Sequence, residues 1–285
     1  MKPAVSSYSF SQYLNDGRLN QLQCIKKAKD LGFEGIEFTE LTPDDGSSLS
    51  QYACRLREES ERVGLPIVSF VFGANFLTSS SADLEQEIQR VQQQIDLAEI
   101  LGVPLIRHDA APAGRRGLSF EQALSIIAPA CRRITEYAAK KGIRTTVENH
   151  GQFCQGGRRM EQLFNAVNHE NFGILGDMGN FLCGDEASEQ AFAIIAPYLS
   201  HVHAKDFYWK SGMGPDPGEG YFATRAGNFL KGAIIGHGVV PVKQCLNIAR
   251  NHGYHGFVVI EYEGAEDALE ALRIGLDNLK RFLTA

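Results

Sequence analysis

Cysteine is sparse in this sequence and never clustered. The six cysteines, at positions 24, 54, 131, 154, 183 and 245, form no C-x-x-C pair, which excludes a zinc knuckle or a dithiol redox motif. Reduced, mostly buried thiols are the expectation. No stretch of about 18 unbroken apolar residues occurs, so no membrane-spanning helix is expected. The opening MKPAVSSYSF lacks the basic segment and apolar core of a secretory signal, which reads as a cytoplasmic protein with no membrane partner. Clustered basic residues are missing too. The 28 Lys and Arg are scattered and outnumbered by 34 Asp and Glu, giving a formal net charge of −6, and a nucleic-acid groove needs concentrated positive charge to displace phosphate counterions. No nucleic-acid partner is expected. What remains, 44% hydrophobic and 22% charged residues over 285 positions, is the composition of a globular enzyme-sized chain.

Short runs rich in Val, Ile and Phe alternate with segments of helical period from end to end, with no linker or low-complexity stretch. Eight strand candidates fall at 4–10, 35–40, 67–72, 105–109, 145–150, 173–177, 201–206 and 258–263. Helical stretches at 19–31, 84–101, 120–141 and 265–283 lie between or after them, and Gly32, Gly64, Gly102 and Gly142 suit left-handed helix caps. Eight strand–helix units predict a single-domain (β/α)₈ TIM barrel spanning 1–285, with a doubly wound open sheet as the competing architecture. The polar residues decide between them. They gather at the C-terminal ends of many strands, where a barrel places its active site, whereas an open sheet brings only a few strand ends to one crevice.

Side chains alternate along a strand, so the fifth to eighth strands point Glu148, Asp177, His203 and Glu261 into one mouth. Three carboxylates without a counter-charge would repel one another and resist ionisation. A divalent cation removes that conflict, and three oxygen donors with one imidazole suit Mn²⁺ first, with Mg²⁺, Co²⁺ and Zn²⁺ as alternatives.

These residues lie in TVENHG (146–151), GDMGN (176–180), HVHAKD (201–206) and VIEYEG (259–264), and in that order the four motifs resemble the xylose-isomerase-like TIM barrels, the superfamily of sugar phosphate isomerases and epimerases. The resemblance covers essentially the whole chain. It implies that Glu148, Asp177, His203 and Glu261 bind one divalent metal ion and that Glu148 and Glu261 also move the proton, as catalytic residues of an isomerase or epimerase acting on a small carbohydrate. A metal chelated by a carbonyl and its neighbouring hydroxyl stabilises the enediolate, and a carboxylate on each face of that intermediate can remove and return a proton. The resemblance also admits a lyase or dehydratase that expels a β-substituent from a keto-sugar. Less favoured are a repair nuclease of the endonuclease-IV type and a non-catalytic sugar-binding barrel. The sequence departs from the ketose 3-epimerases at three positions. Cys154, Trp209 and Asn180 stand where that subfamily carries Glu, Arg and His, so its substrate-hydroxyl contacts do not carry over.

Further substrate-binding candidates are His150 and Lys205 at the mouth, and Trp209, Arg225 and His237 in an unusually long connection, 207–241, after the seventh strand. Long barrel loops are commonly functional, and aromatic faces suit sugar rings. The same exposed aromatics also fit a homo-oligomer contact. Inside the barrel, Glu37 and Arg107 are expected to pair, since a lone buried charge is costly. His201 reads as a hydrogen-bonded core histidine, and His108 as facing away from the lumen. Gly156-Gly157-Arg158-Arg159 reads as a solvated turn rather than a phosphate cradle.

Overall fold

The computed structural model describes residues 1–284. Eight parallel strands close into a barrel: β1 (Lys2–Ser6), β2 (Ile36–Thr39), β3 (Ile67–Phe72), β4 (Leu105–His108), β5 (Arg144–Glu148), β6 (Phe172–Asp177), β7 (Leu199–Ala204) and β11 (Phe257–Ile260). Each neighbours the next around the ring, and β11 closes it between β7 and β1. The chain is a single (β/α)₈ barrel. Residues pointing outward from the strands, such as Val5, Phe38, Phe70, Ile106, Val147 and Val258, merge with the helices into one apolar shell. Inside, a small cluster of Ala4, Val68 and Val259 plugs the bottom. Above it the lumen is polar, with Glu37, Ser69, Thr146, His201 and His203 fully or nearly fully buried.

The helices begin and end where local chemistry dictates. Gln21–Leu31, Leu49–Val63 and Phe120–Ala139 each start with a reciprocal capping box, built by Asn20/Gln23, Ser48/Gln51 and Ser119/Gln122, which satisfies amide groups that have no intrahelical partner. Gly32, Gly64 and Gly102 take the left-handed cap. Among the described residues, no helix is long and apolar enough to cross a membrane.

Two expected elements differ. Strand one stops at Ser6, and Ser7–Phe10 forms a 3₁₀ turn. The 207–241 connection is not a plain loop: β8 (Asp206–Lys210), β9 (Phe222–Ala223) and β10 (Phe229–Ala233) form an antiparallel sheet. One carboxylate closes that excursion at both ends. Asp206 Oδ1 accepts from the amides of Phe207 (2.9 Å) and Val240 (3.0 Å), and Oδ2 from those of Gly236 and Gly238 (both 2.9 Å). Removing a charged acceptor from buried amides costs about 1–3 kcal/mol for each group left unsatisfied. Asp206→Ala should therefore lower unfolding stability by roughly 3 kcal/mol or more in a urea titration; a change within experimental error would show that the turn holds itself.

Candidate functional site

Each of four neighbouring strands ends in a polar side chain aimed inward. Glu148 closes β5, Asp177 closes β6, His203 lies inward on β7, and Glu261 follows β11 directly. One donor atom from each lies within 4.8 Å of all the others. Around the barrel, Asp177 and His203 stand between the two glutamates. His203 Nδ1 faces Glu148 Oε1 at 3.7 Å, Glu261 Oε2 at 3.8 Å and Asp177 Oδ2 at 3.9 Å.

The surrounding hydrogen bonds fix these groups and leave donor lone pairs free. Asp177 Oδ1 accepts from the amides of Gly179 (2.7 Å) and Asn180 (2.8 Å), and the Asn149 side chain brackets the Asp177 backbone on both sides. Gly179 is required here, because a Cβ would lie 2.9 Å from the Lys205 carbonyl oxygen and 3.0 Å from its Cβ. Asn180 Nδ2 donates to Glu148 Oε1 at 2.9 Å. Asp177 Oδ2 and His203 Nδ1, both buried, have no hydrogen-bond partner. Unpartnered buried acceptors are rare, and two of them converging with two further carboxylates form a set that a divalent cation satisfies. The donor set fits a metal ion.

Two buried cations flank the set. Arg107 Nη2 contacts Glu148 Oε2 at 2.6 Å and Asp109 Oδ1 at 2.9 Å. Lys205 Nζ contacts Glu261 Oε2 at 2.5 Å, Glu263 Oε1 at 3.1 Å and Asp177 Oδ2 at 3.4 Å. Burial raises the Asp177 carboxyl, Lys205 opposes that, and Glu148 and Glu261 reinforce it, leaving it at about 6. Burial acts the same way on Glu261, but Lys205 and His203 overcome it and hold its carboxyl well below the usual range. Lys205 stays an ammonium despite burial because Asp177, Glu261 and Glu263 surround it.

A cavity of about 360 Å³ opens above this cluster, and its walls include Tyr8, Arg107, Asp109, Glu148, His150, Lys205, Glu261 and Glu263. His150 and Lys205 are thus brought to the cavity. Trp209, Arg225 and His237 are not among its lining residues. Trp209 lies on β8 opposite Leu230 and is 45% exposed. The Arg225 guanidinium is spent on the Gln152 carbonyl, which pins the excursion over the loop after β5. His237 is exposed in the turn that Asp206 organises, between Gly236 and Gly238.

Glu37 and Arg107 both lie inside the barrel but do not pair. Glu37 is level with Ser69 on β3, while Arg107 is level with Val71, two residues further along the same strand. That offset lifts Arg107 one layer toward the mouth, where Glu148 and Asp109 take it. Glu37 instead meets His201 and His203. His201 is the hydrogen-bonded core histidine the sequence suggests. His108 packs edge-on against Phe76, outside the lumen. The amide of Gly157, which opens the helix Gly157–Val167, is taken by Glu186 Oε2 at 3.0 Å, so that end already holds an anion. Asp109 and Tyr8 are cavity residues that were not singled out from the sequence. Asp109 carried the signal used elsewhere, a polar residue just after a strand.

A closed parallel barrel with three carboxylates and a histidine converging at its C-terminal mouth defines a class of α/β barrels with a donor set that could hold a metal ion. The sequence model of the xylose isomerase-like TIM barrel family matches residues 25–282, and the chain belongs to that family. Among curated relatives, an inosose dehydratase from Bacillus thuringiensis is 23% identical over 255 residues, covering 85% of this chain and 81% of the relative. Among solved structures, the IolI protein with a bound zinc atom superposes with a TM-score of 0.78 at 15% identity, covering 100% of this chain and 98% of the other. The 3-keto-D-glucoside 4-epimerase from E. coli superposes at 0.72 with 17% identity, covering 99% of each chain.

Proposed function

We propose that this protein is a divalent-metal-dependent isomerase or epimerase that moves a proton next to the carbonyl of an uncharged keto-sugar, with the metal held by Glu148, Asp177, His203 and Glu261. The supporting observation is the placement of the two glutamates at the outer ends of the donor arc, each beside its own buried cation, Arg107 or Lys205. When bound, the metal polarises the substrate carbonyl and stabilises negative charge developing on its oxygen. Glu261, kept ionised by Lys205, takes the proton from one face of the substrate. Glu148, held by Arg107 and Asn180, serves the other face. His150, whose Nδ1 lies 3.0 Å from Asp109 Oδ1, orients a substrate hydroxyl at the cavity wall.

A second reading, a dehydratase, is favoured by the inosose dehydratase relatives, which match over 85% of the chain. It needs the same proton abstraction followed by loss of a β-hydroxyl. Incubating Mn²⁺-loaded protein in deuterium oxide with ketoses, keto-glycosides and inososes separates the outcomes by NMR. Deuterium beside the carbonyl in an epimer or isomer supports the first reading, and an unsaturated, dehydrated product supports the second. No exchange with any member of the panel, in protein carrying one equivalent of metal, would end both.

The cavity also selects for charge. The cations lining it are Arg107 and Lys205, with His150 half-shared by Asp109, against Glu40, Asp109, Glu148, Glu261 and Glu263. Arg107 and Lys205 are 6% and 4% exposed and already committed to carboxylates, so a phosphate entering here finds no free side-chain cation, and the five carboxylates outweigh the positive charge even with a divalent ion bound. The kcat/KM for a neutral ketose should exceed that for its phosphate ester by at least about tenfold, roughly 1.4 kcal/mol. The opposite ranking would refute a neutral substrate.

A further inference from the structure

The barrel carries a second buried polar cluster, one layer below the candidate metal centre and built around Glu37. This carboxylate is fully buried, yet no lysine or arginine reaches it. Glu37 Oε2 lies 3.0 Å from His201 Nε2 and accepts from Ser69 Oγ. Both Glu37 oxygens lie within 3.2 Å of His203 Nε2. A buried carboxylate met only by two imidazoles and a hydroxyl is an expensive choice for packing, since an apolar residue of similar volume serves stability as well or better.

The backbone is irregular where it delivers these partners. Between β2 and β3 the register slips, so that Ile36 pairs with Ile67 but Glu37 with Ser69, and Val68 is the extra residue. Between β6 and β7 it slips again. Ile174 pairs with Leu199 and Leu175 with His201, leaving Ser200 over. These are the only two slips among the barrel pairings of the described residues. A glycine on the adjacent strand, or just before it, makes room for each: a Cβ on Gly35 would stand 2.5 Å from Val68 Cγ1, and one on Gly173 would stand 2.0 Å from Ser200 Oγ. One slip sets Ser69 beside Glu37. The other sets His201 and His203 in phase with Leu175 and Asp177. Bulges that re-aim side chains are common beside active sites.

From this geometry we infer that Glu37 is a positioning residue for the metal centre: it accepts a hydrogen bond from Nε2–H of His203 and thereby turns the Nδ1 lone pair toward Glu148, Asp177 and Glu261. A metal-bound imidazole has one N–H, and engaging it at Nε2 makes Nδ1 the donor, which is the atom found 3.7–3.9 Å from the three carboxylates. Ser69 and His201 also hold Glu37 through Oε2, which restrains the carboxylate that His203 meets. β2 thus contributes to a centre whose ligands come from β5, β6, β7 and the end of β11. This role rests on the metal reading above.

The test is Mn²⁺ affinity by isothermal titration, together with thermal unfolding, in the wild type, Glu37→Met and Glu37→Gln. Loss of such an outer partner typically costs 10–100-fold in metal affinity. Glu37→Met, which fills the space but offers no carboxylate to accept the Nε2–H bond, should lose about that much at temperatures where it is fully folded. Glu37→Gln retains one acceptor and should lose less. In Zn²⁺-loaded protein labelled with ¹⁵N-histidine, the wild type should show a slowly exchanging His203 Nε2–H that is lost in Glu37→Met. Should Glu37→Met fail to fold, Glu37→Gln and the His203 resonance carry the test. Mn²⁺ affinities within twofold across folded variants, or a Zn²⁺-loaded His203 protonated on Nδ1, overturn the role of Glu37 while leaving the metal centre standing. A wild type that binds no Mn²⁺ overturns both.

Discussion

Glu261→Gln is expected to abolish deuterium incorporation beside the substrate carbonyl while the protein remains folded. The amide keeps one oxygen as a donor but cannot accept the substrate proton. A general base contributes about 10²–10⁴-fold to rate, so turnover should fall by roughly 10³-fold, equivalent to about 4 kcal/mol of transition-state stabilisation. Folding should survive because Lys205, which loses its 2.5 Å partner, still has Glu263 at 3.1 Å and Asp177 at 3.4 Å. The measurement needs metal content determined beside the rate, because a partly empty variant would mimic a lost base. Undiminished exchange in a fully metallated Glu261→Gln protein would move the base to Glu148 or His150.

The strands that carry this chemistry were legible because each combines a β-branched run with a polar residue at its C-terminal end. Glu148, Asp177, His203 and Glu261 could be assigned to one mouth from alternation alone, and the structure does bring them within 4.8 Å. Partners across the lumen were harder to read. Arg107 was matched to Glu37 strand by strand, but the stagger of the barrel raises β4 relative to β2, and a layer cannot be counted without the register. The slips at Val68 and Ser200 leave no mark in periodicity. Their only sequence trace is a glycine on or beside the neighbouring strand, and glycine has many other uses. The 207–241 excursion stands out in the sequence by its length alone, and the Gly- and Pro-rich run 211–220 separates its strand segments. Its two longer strands, Asp206–Lys210 and Phe229–Ala233, find each other across that run, a pairing set by the Asp206 anchor rather than by a short turn.

Arg107→Met shows how far structure and metal are coupled. The guanidinium is 7% exposed and bridges two carboxylates, Asp109 and Glu148, that are themselves nearly buried. Its removal leaves Glu148 with Asn180 and Asp109 with His150. Stripping the cation from a buried pair costs about 3–5 kcal/mol, so metal-free Arg107→Met should unfold at markedly lower denaturant than the wild type. Two effects then compete for the metal. Loss of the group that orients Glu148 costs about 1.4–2.7 kcal/mol, the equivalent of 10–100-fold in affinity. Against this, removing the positive charge paired with a ligand carboxylate relieves repulsion of the ion, about 3 kcal/mol for each unit charge if the two are taken as roughly 5 Å apart at an effective dielectric near 20. Relief wins for a divalent ion. Saturating Mn²⁺ should therefore recover part of the lost stability, and the difference between variant and wild type should be smaller with metal than without. Urea titrations of both proteins, with Mn²⁺ and with chelator, measure all four corners of that cycle. An equal loss at both metal levels would mean that removing Arg107 leaves metal affinity unchanged, and would overturn the expectation that charge relief outweighs the lost orientation of Glu148.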